Sequence, residues 1–448
     1  MKLLTLEEHR QRIRNLNDAE KNNRQYLRRH RVREYLPAQA TYNLGDYPAR
    51  FSMEPTEYDY NMLKDMAENG VQMIQLHEEW NDAIRRFGAD KFSSFDKDGL
   101  HKFVDLCHSF GLKVIAYASS GYFHEYDPDF REEFTRNVAY CINGMHFKYR
   151  ACSCGSAEWR NYLLPKTLQV LDEYDFDGLY NDSGIAAALA AKGQGMERCD
   201  AEVEDLLGII YTEVKRRGGI YKLHCSGNNP APAIDRVYDY LWIGESIGVD
   251  SIGAGKTFPY YVVPSQDKAR IRWDNPDYYF AKVIPFLQFP LLTTRGRPLL
   301  GKRIGEDIPY YGNTPEKLGI EYAYNKRIAD YMQEHPNGPY VYSLWSAIPD
   351  DPEEYPRWCK YLALYKPMVE ENTLVYVELR DCADILSPLP KDVYASMFVN
   401  EKIYLAVSNL TQVPYELQLK DLWRDRVTDV CGHSFTIAPG KISFLAKE

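Results

Sequence analysis

The sequence predicts an α/β chain: a (β/α)8 barrel, with a helical segment before it and a small antiparallel β-domain after it. Short apolar runs alternate with helix-spaced apolar positions from about residue 38 to about 368. Glycines stand where a helix gives way to the next run, at Gly70, Gly111 and Gly218, as a left-handed helix terminus requires. From about residue 369 to 448 the pattern changes to strands of alternating polarity. Alternating strand and helix signals mean parallel β/α units, and a run of strands alone means an antiparallel domain.

Residues 5 to about 35, within an N-terminal segment 1–37, read as a helix. Thr5 and Glu8 fit a capping box, and Leu6, Ile13 and Leu16 leave a thin apolar stripe. The basic residues Arg24, Arg28, Arg29, Arg31 and Arg33 read as a solvated helix face docked on an acidic body, with an anionic partner as the alternative. The first barrel strand is ATYNL (40–44). Met62, Leu63 and Met66 then lead to VQMIQLH (71–77), and Leu100, Phe103, Val104 and Cys107 lead to LKVIAYA (112–118). Leu164, Leu168 and Leu171 precede DFDGLYND (175–182); Leu206, Leu207, Ile210 and Val214 precede IYKLHCS (220–226). YLWIGES (240–246), a run within VIPFLQF (283–289) and YVYSLW (340–345) complete eight strands, the number that closes a barrel. These runs are apolar throughout, as strands buried on both faces are. An open doubly wound sheet is the alternative, but Gly45-Asp46-Tyr47-Pro48 is not the glycine-rich phosphate loop it needs. LVYVEL (374–379), YASMFV (394–399), KIYLAVSNL (402–410) and KISFLAK (441–447) are the strands of a C-terminal β-sandwich, with a turn at Asn400-Glu401.

Composition narrows the function. The 54 Lys and Arg against 64 Asp and Glu give a net charge of −10, without the basic footprint of a nucleic-acid binder. No run is long and apolar enough to span a membrane or to serve as a signal peptide. Nine scattered cysteines do not form a disulfide framework and fit a reducing, cytoplasmic setting. Aromatics make up 14% of the chain, with 36 Tyr, a composition suited to stacking on sugar rings. The N-terminal helix and β-domain are surfaces through which a homo-oligomer would pair.

Chemistry in such a barrel gathers at the C-terminal ends of the strands. Those ends carry Asn43 and Asp46; His77, Glu78, Glu79 and Trp80; Ser119, Ser120 and Tyr122; Asn181 and Asp182; His224, Ser226 and Asn228; Glu245; and Trp345. Carboxylates, amides, hydroxyls and aromatics without a phosphate cradle are the inventory of a carbohydrate site. Asp182 and Glu245 each follow directly on an apolar strand, the pairing a glycosidase needs: about 5–5.5 Å between carboxyls in a retaining enzyme, about 6.5–9.5 Å in an inverting one. Their alternatives are a helix N-cap for Asp182 and an ion pair with Arg295 or Arg297 for Glu245. The predicted substrate-binding set is Asp46, His77, Glu78, Glu79, Tyr122, Asn181, His224, Asn228 and Trp345. Glu78 and Glu79 also suit a helix start, and His224 a satisfied core position. No metal or cofactor is expected: His77 lacks the H-E-x-x-H partner, and Cys152-x-Cys154 is not a C-x-x-C pair. There is no G-x-S-x-G nucleophile elbow. The long segment 246–280, with Tyr260, Tyr261, Arg270, Arg272, Trp273, Tyr278 and Tyr279, reads as a lid or wall, or as a plain surface insertion.

DGLYND at the fourth strand, with a second acid at the sixth, resembles the α-retaining glycoside hydrolase barrels: α-galactosidases, α-glucosidases, dextranases and endo-α-N-acetylgalactosaminidases. The resemblance covers roughly residues 38–365 and the β-domain that such enzymes often carry. It implies a nucleophile at Asp182, an acid/base at Glu245 and an oligosaccharide or glycoside as substrate. Departures are the absence of a large N-terminal β-sandwich and the common character of the D-G-apolar-aromatic motif. The alternatives from other classes are a carbohydrate-binding barrel without catalysis and a metal-dependent sugar lyase or isomerase.

Overall fold

The computed structural model describes residues 4–23, 28–44, 52–77, 80–81, 92–125, 127–136, 141–143, 148–182, 200–225, 237–243, 261–264, 275–293, 295–297 and 353–448. The chain opens with α1 (Leu6–Asn22) and β1 (Arg29–Arg31). Next come β2 (Gln39–Tyr42), α2 (Glu57–Glu68), β3 (Met73–Leu76), α3 (Lys97–Ser109) and β4 (Lys113–Tyr117). A small antiparallel excursion follows, β5 (Tyr122–His124), β6 (Cys141–Asn143) and β7 (Lys148–Ala151), then α4 (Ala157–Glu173) and β8 (Gly178–Asn181). After these come α5 (Asp200–Arg216), β9 (Ile220–Cys225), β10 (Tyr240–Ile243), β11 (Tyr261–Pro264), α6 (Tyr278–Val283) and α7 (Glu354–Tyr365). The C-terminal strands are β12 (Leu374–Tyr376), β13 (Val393–Val399), β14 (Ile403–Asn409), β15 (Tyr415–Asp425), β16 (Cys431–Ile437) and β17 (Lys441–Lys447).

Seven parallel strands run in the order β11-β10-β9-β8-β4-β3-β2, and the segment 291–297 closes them into a barrel. Leu291 N–H donates to the Pro264 carbonyl (3.1 Å) on one side. On the other, Leu292 N–H donates to Gln39 (3.0 Å), Thr41 N–H to Leu292 (2.8 Å), and Asn43 and Arg297 complete the ladder, each bond 2.8 Å. Gly296 sits at φ +109° where a Cβ would fall 2.2 Å from the Asn43 carbonyl oxygen, so closure requires a residue without one. The expected helix-terminal glycines Gly70, Gly111 and Gly218 all take positive φ. The core strands are buried along their whole length, as strands covered on both faces must be.

Four sequence expectations change here. The seventh strand is β11, inside the segment read as a lid. VIPFLQF contributes instead the end of α6 and a 3-10 turn at Ile284–Phe286: its apolar spacing belonged to a buried helix, a period that a short apolar run cannot distinguish. The eighth position is 291–297, and 340–345 lies outside the described residues. The helix expected over 5–35 ends at Asn22, and Arg29–Arg31 pair antiparallel with Leu374–Tyr376. The N-terminal segment is thereby a strand of the C-terminal sheet.

That sheet is one continuous antiparallel ladder, β1-β12-β13-β14-β17-β15-β16, where two stacked sheets were expected. Phe398, Tyr404, Ala406 and Phe444 join the barrel's core, whereas Met397, Leu405, Val407, Trp423 and Leu445 face a second core that includes Ala19 of α1. β13 and β14 are therefore covered on both faces. Arg12 ties α1 down by donating to Glu401 (2.8 Å) and to the Glu371 carbonyl (2.8 Å). In the basic run, Arg28 pairs with Glu378 and Arg29 with Glu20, at a strand rather than on the helix face expected.

α2 is fixed at its start by a capping box, Thr56 with Asp59. Asp59, fully buried, also accepts from the Tyr42 hydroxyl (2.7 Å) and from the Arg297 guanidinium (3.0 Å). Its carboxylate thus ties the first strand, the first barrel helix and the closing segment together.

Candidate active site

Asp182 follows the last residue of β8, the fourth barrel strand. Strand alternation sends Gly178, Tyr180 and Asp182 one way and Leu179 and Asn181 the other. The inward positions of neighbouring strands follow the same period. On β9 these are Lys222 and His224, on β4 Ile115 and Tyr117, on β10 Tyr240 and Trp242, and His77 stands at the end of β3. The sequence builds the site as stacked pairs, two residues apart, on adjacent strands.

At the top of the stack the Asp182 carboxylate is held from both sides. Oδ1 lies 2.5 Å from Nδ1 of His224. Oδ2 accepts from the Tyr122 hydroxyl at 3.0 Å and stands 3.4 Å from that of Tyr117. The Tyr117 and Tyr122 hydroxyls also bond to each other. The Asp182 side chain keeps 20% of its exposure while His224 keeps 3%, so the imidazole is the more deeply enclosed of the two. Burial pushes the Asp182 carboxyl up, but the His224 hydrogen bond and charge, the Tyr122 hydroxyl and the charge of His77 outweigh it and hold the group below the usual carboxylate value.

Aromatic rings support these polar atoms. Trp242 lies against His224 with centroids 4.2 Å apart. Tyr180 meets Trp242 edge-on at 5.3 Å, and His77 meets Tyr180 at 6.0 Å. The Tyr180 hydroxyl also reaches Nδ1 of His224 at 3.2 Å. One layer down, Lys222 is fully buried; its ammonium nitrogen donates to Gln39 Oε1 at 3.0 Å and lies 5.9 Å from the Trp242 ring. Burial alone drives the Lys222 amine well below its ordinary value.

The third strand's end is pinned by two tryptophans. Trp80 Nε1 donates to the Tyr117 carbonyl and Trp159 Nε1 to that of Ser120, each at 3.0 Å. The Ser119 hydroxyl donates to the backbone carbonyl of Asp182 at 2.7 Å. Tyr122 is delivered by β5, whose next residue, Phe123, packs among Phe134, Trp159 and Tyr162.

Of the predicted site residues, His77, Tyr122, Asp182 and His224 come together. Asn181 is turned away from them: its Oδ1 accepts from Ser120 N–H (3.0 Å), and its amide donates to the Ser120 hydroxyl (2.7 Å) and to Tyr221 (2.5 Å). It braces the strand ends from outside the barrel, and the sugar contact expected of it is corrected on that ground. Asp46, Glu78, Glu79, Asn228, Glu245 and Trp345 lie outside the described residues. Arg297, an expected partner of Glu245, is bound to Asp59 at 2.9 Å, and Arg295 stacks over Tyr355 at 3.9 Å. In the segment read as a lid, Tyr261 bonds through its hydroxyl to the Arg33 backbone, and Tyr278 and Tyr279 are buried in α6; none of the three is a lid residue. Tyr117, Tyr180 and Trp242 lie outside the predicted set; counting back two positions from Asp182 finds Tyr180, whereas Trp242 is found only from its cross-strand pairing with His224. Among the described residues no group of three or more His, Cys, Asp or Glu is placed to hold a metal ion, and no helix is long and apolar enough to cross a membrane.

No family model and no curated relative matches the sequence. Solved structures do share its architecture. An α-amylase from Geobacillus thermoleovorans, complexed with acarbose, aligns over 93% of this chain and 100% of its own at 12% identity and a TM-score of 0.55. The trehalose-6-phosphate hydrolase of Bacillus licheniformis aligns over the same shares at 11% identity and 0.55. A putative α-amylase from Salmonella typhimurium aligns over 93% of this chain and 83% of its own at 13% identity and 0.51. At these identities the likeness establishes the fold: a (β/α)8 barrel followed by an antiparallel β-domain.

Proposed function

We propose that this protein hydrolyses O-glycosidic bonds of α-linked oligosaccharides by a two-step retaining mechanism, with Asp182 as nucleophile and Glu245 as acid/base. The observation that carries the reading is the state of Asp182: a strand-four carboxylate kept ionised by an imidazole on one oxygen and a phenol on the other. A nucleophile has to be ionised before substrate arrives, whereas an acid catalyst needs the opposite shift. His77, Tyr180 and Trp242 are buried behind the carboxylate and its imidazole and hold them in place. The fold agrees, since solved structures of like shape are named α-amylase, one crystallised with acarbose, and trehalose-6-phosphate hydrolase. The galactosidase, dextranase and N-acetylgalactosaminidase specificities belong to the same proposal as alternatives within it. So do residence in the cytoplasm and the division into residues 1–37, 38–368 and 369–448.

In the first step the Asp182 carboxylate bonds to the anomeric carbon while Glu245 protonates the departing oxygen. In the second, Glu245 takes a proton from water as the water oxygen displaces the carboxylate. The test is hydrolysis of maltotriose, trehalose 6-phosphate and 4-nitrophenyl α-glycosides, with the anomer of the product followed by NMR. Asp182→Asn abolishes turnover and keeps the melting profile; a variant that still turns over removes Asp182 from the role. Binding of these sugars without turnover by the wild type favours the non-catalytic barrel, and activity lost to a chelator favours the metal-dependent one.

A further inference from the structure

We propose that Tyr117 and Tyr122 form an ordered phenol relay onto Oδ2 of Asp182, and that the relay stabilises this carboxylate as it departs in the second chemical step. The inference rests on Asp182 being the nucleophile and adds two residues to its chemistry.

The order of the relay follows from distances. The two hydroxyls bond to each other, and each has one proton to give. Tyr122 lies 3.0 Å from Oδ2 and Tyr117 3.4 Å. Tyr117 therefore donates to the Tyr122 oxygen and Tyr122 donates to the carboxylate, an arrangement in which the first bond polarises the second. Both rings are nearly excluded from water, at 2% and 4% exposure, where a hydrogen bond to a charge is worth most. They come from different elements: Tyr117 from barrel strand β4, Tyr122 from β5 of the excursion. The excursion thus completes the environment of the reacting carboxylate.

The electron accounting gives the relay its direction. In the first step a carboxylate lone pair forms the bond to the anomeric carbon. The glycosidic bond breaks toward the aglycone oxygen, which takes the proton of Glu245. In the second, water forms its bond to the anomeric carbon and gives a proton to Glu245, while the ester electron pair returns to Asp182. The phenols keep their protons throughout. Their hydrogen bond to Oδ2 is weak when Asp182 is a neutral ester and strong when it is a carboxylate, so they oppose the first step slightly and assist the second.

Two measurements test this. With 4-nitrophenyl α-glucoside, α-galactoside or N-acetyl-α-galactosaminide, whichever the wild type cleaves fastest, Tyr122→Phe lowers kcat about tenfold, the scale of one hydrogen bond to a charge. It leaves kcat/KM within about twofold and produces a burst of 4-nitrophenol. Tyr117→Phe moves the same parameters in the same direction by less. Equal falls in kcat and kcat/KM without a burst, no change in either, or a larger effect at Tyr117 than at Tyr122 overturns the relay. The second measurement needs no substrate: the stability lost by Tyr122→Phe relative to wild type, a difference in which other carboxylates held low such as Asp59, Asp96 and Asp177 cancel, disappears as pH falls through the range where Asp182, with His77 and His224 facing it, takes up its proton. A difference that does not change with pH overturns the hydrogen bond itself. A pH-dependent difference in a protein whose wild type cleaves no glycoside overturns the catalytic role together with the nucleophile assignment.

Discussion

His224 is the strongest influence on the proposed nucleophile, and its removal has a calculable consequence. His224→Ala takes away a donor 2.5 Å from Oδ1 of Asp182 and the charge of the imidazole with it. A hydrogen bond to a charged group contributes about 1.5–3 kcal/mol, so His224→Ala should raise the Asp182 carboxyl and remove about that much stabilisation of its ionised form. The sign follows from linkage. In the wild type the folded-state carboxyl is depressed, so its stabilisation is present above the unfolded value and is lost as pH falls through the folded one. Raising the folded value moves the acid limb of kcat/KM on any cleaved glycoside upward, and shrinks by about 1.5–3 kcal/mol the stability lost as pH falls from the unfolded value to the folded one. His224→Asn keeps an N–H near the position of Nδ1 without the charge, and its loss toward low pH should lie between the two. The assay is thermal melting from pH 3 to 8 for all three proteins, read as the change with pH so that the cavity beneath Trp242 cancels. A loss of stability toward low pH in His224→Ala equal to that of the wild type would refute the reasoning.

Asp59→Ala strands the Arg297 guanidinium and the Tyr42 hydroxyl in a closed interior. It should cost about 3–5 kcal/mol in urea unfolding, and a loss below about 1 kcal/mol would show that α2 and the closing segment hold without it. Gly296→Ala forces a side chain into a left-handed residue against the Asn43 carbonyl; a loss of about 2 kcal/mol or more is expected from the melting transition, and a neutral result contradicts closure at that point. Lys222→Met tests the buried amine. Because its folded value lies far below 10.5, the unfolded chain binds its proton more readily, so wild-type stability rises with pH toward about 10.5. The variant lacks that rise, and parallel pH profiles for the two proteins argue against a depressed amine.

How far the sequence spoke for the fold depended on what each signal was about. Glycines at helix ends mark a backbone requirement that no tertiary contact can waive, so Gly70, Gly111 and Gly218 placed three strands correctly. Apolar runs are weaker, because burial on all sides looks alike in a strand and in a core helix. VIPFLQF is such a case: α6 and its 3-10 turn sit between the barrel and the C-terminal sheet and are buried along their length except at Lys282. The true eighth position, 291–297, lay hidden behind proline and arginine. Its arginine is consumed by Asp59, a partner more than two hundred residues away. The return of β1 to β12 is non-local in the same way, and the three residues Arg29–Arg31 carry no local mark of a strand.

The site was legible to the extent that strand parity carries it. A polar residue that continues the alternation of a described strand faces the mouth when the residue two positions back faces the barrel interior, and Tyr180 beneath Asp182 and Lys222 beneath His224 satisfy that condition; Glu245 lies beyond the described end of β10 and is not placed by it. Asn181 fails it, being one residue out of phase, and its amide is spent on Ser120 and Tyr221. The same rule explains why Tyr122 was found and its partner Tyr117 was not. Tyr122 follows a strand end and looked like a loop residue, whereas Tyr117 sits within LKVIAYA and looked like core. Its ring is core and its hydroxyl belongs to the site. An amphipathic side chain at the last inward position of a barrel strand serves packing and chemistry at once. Tyr117 is of this kind, and with Tyr122 it makes two phenols aimed from the core at a single carboxylate.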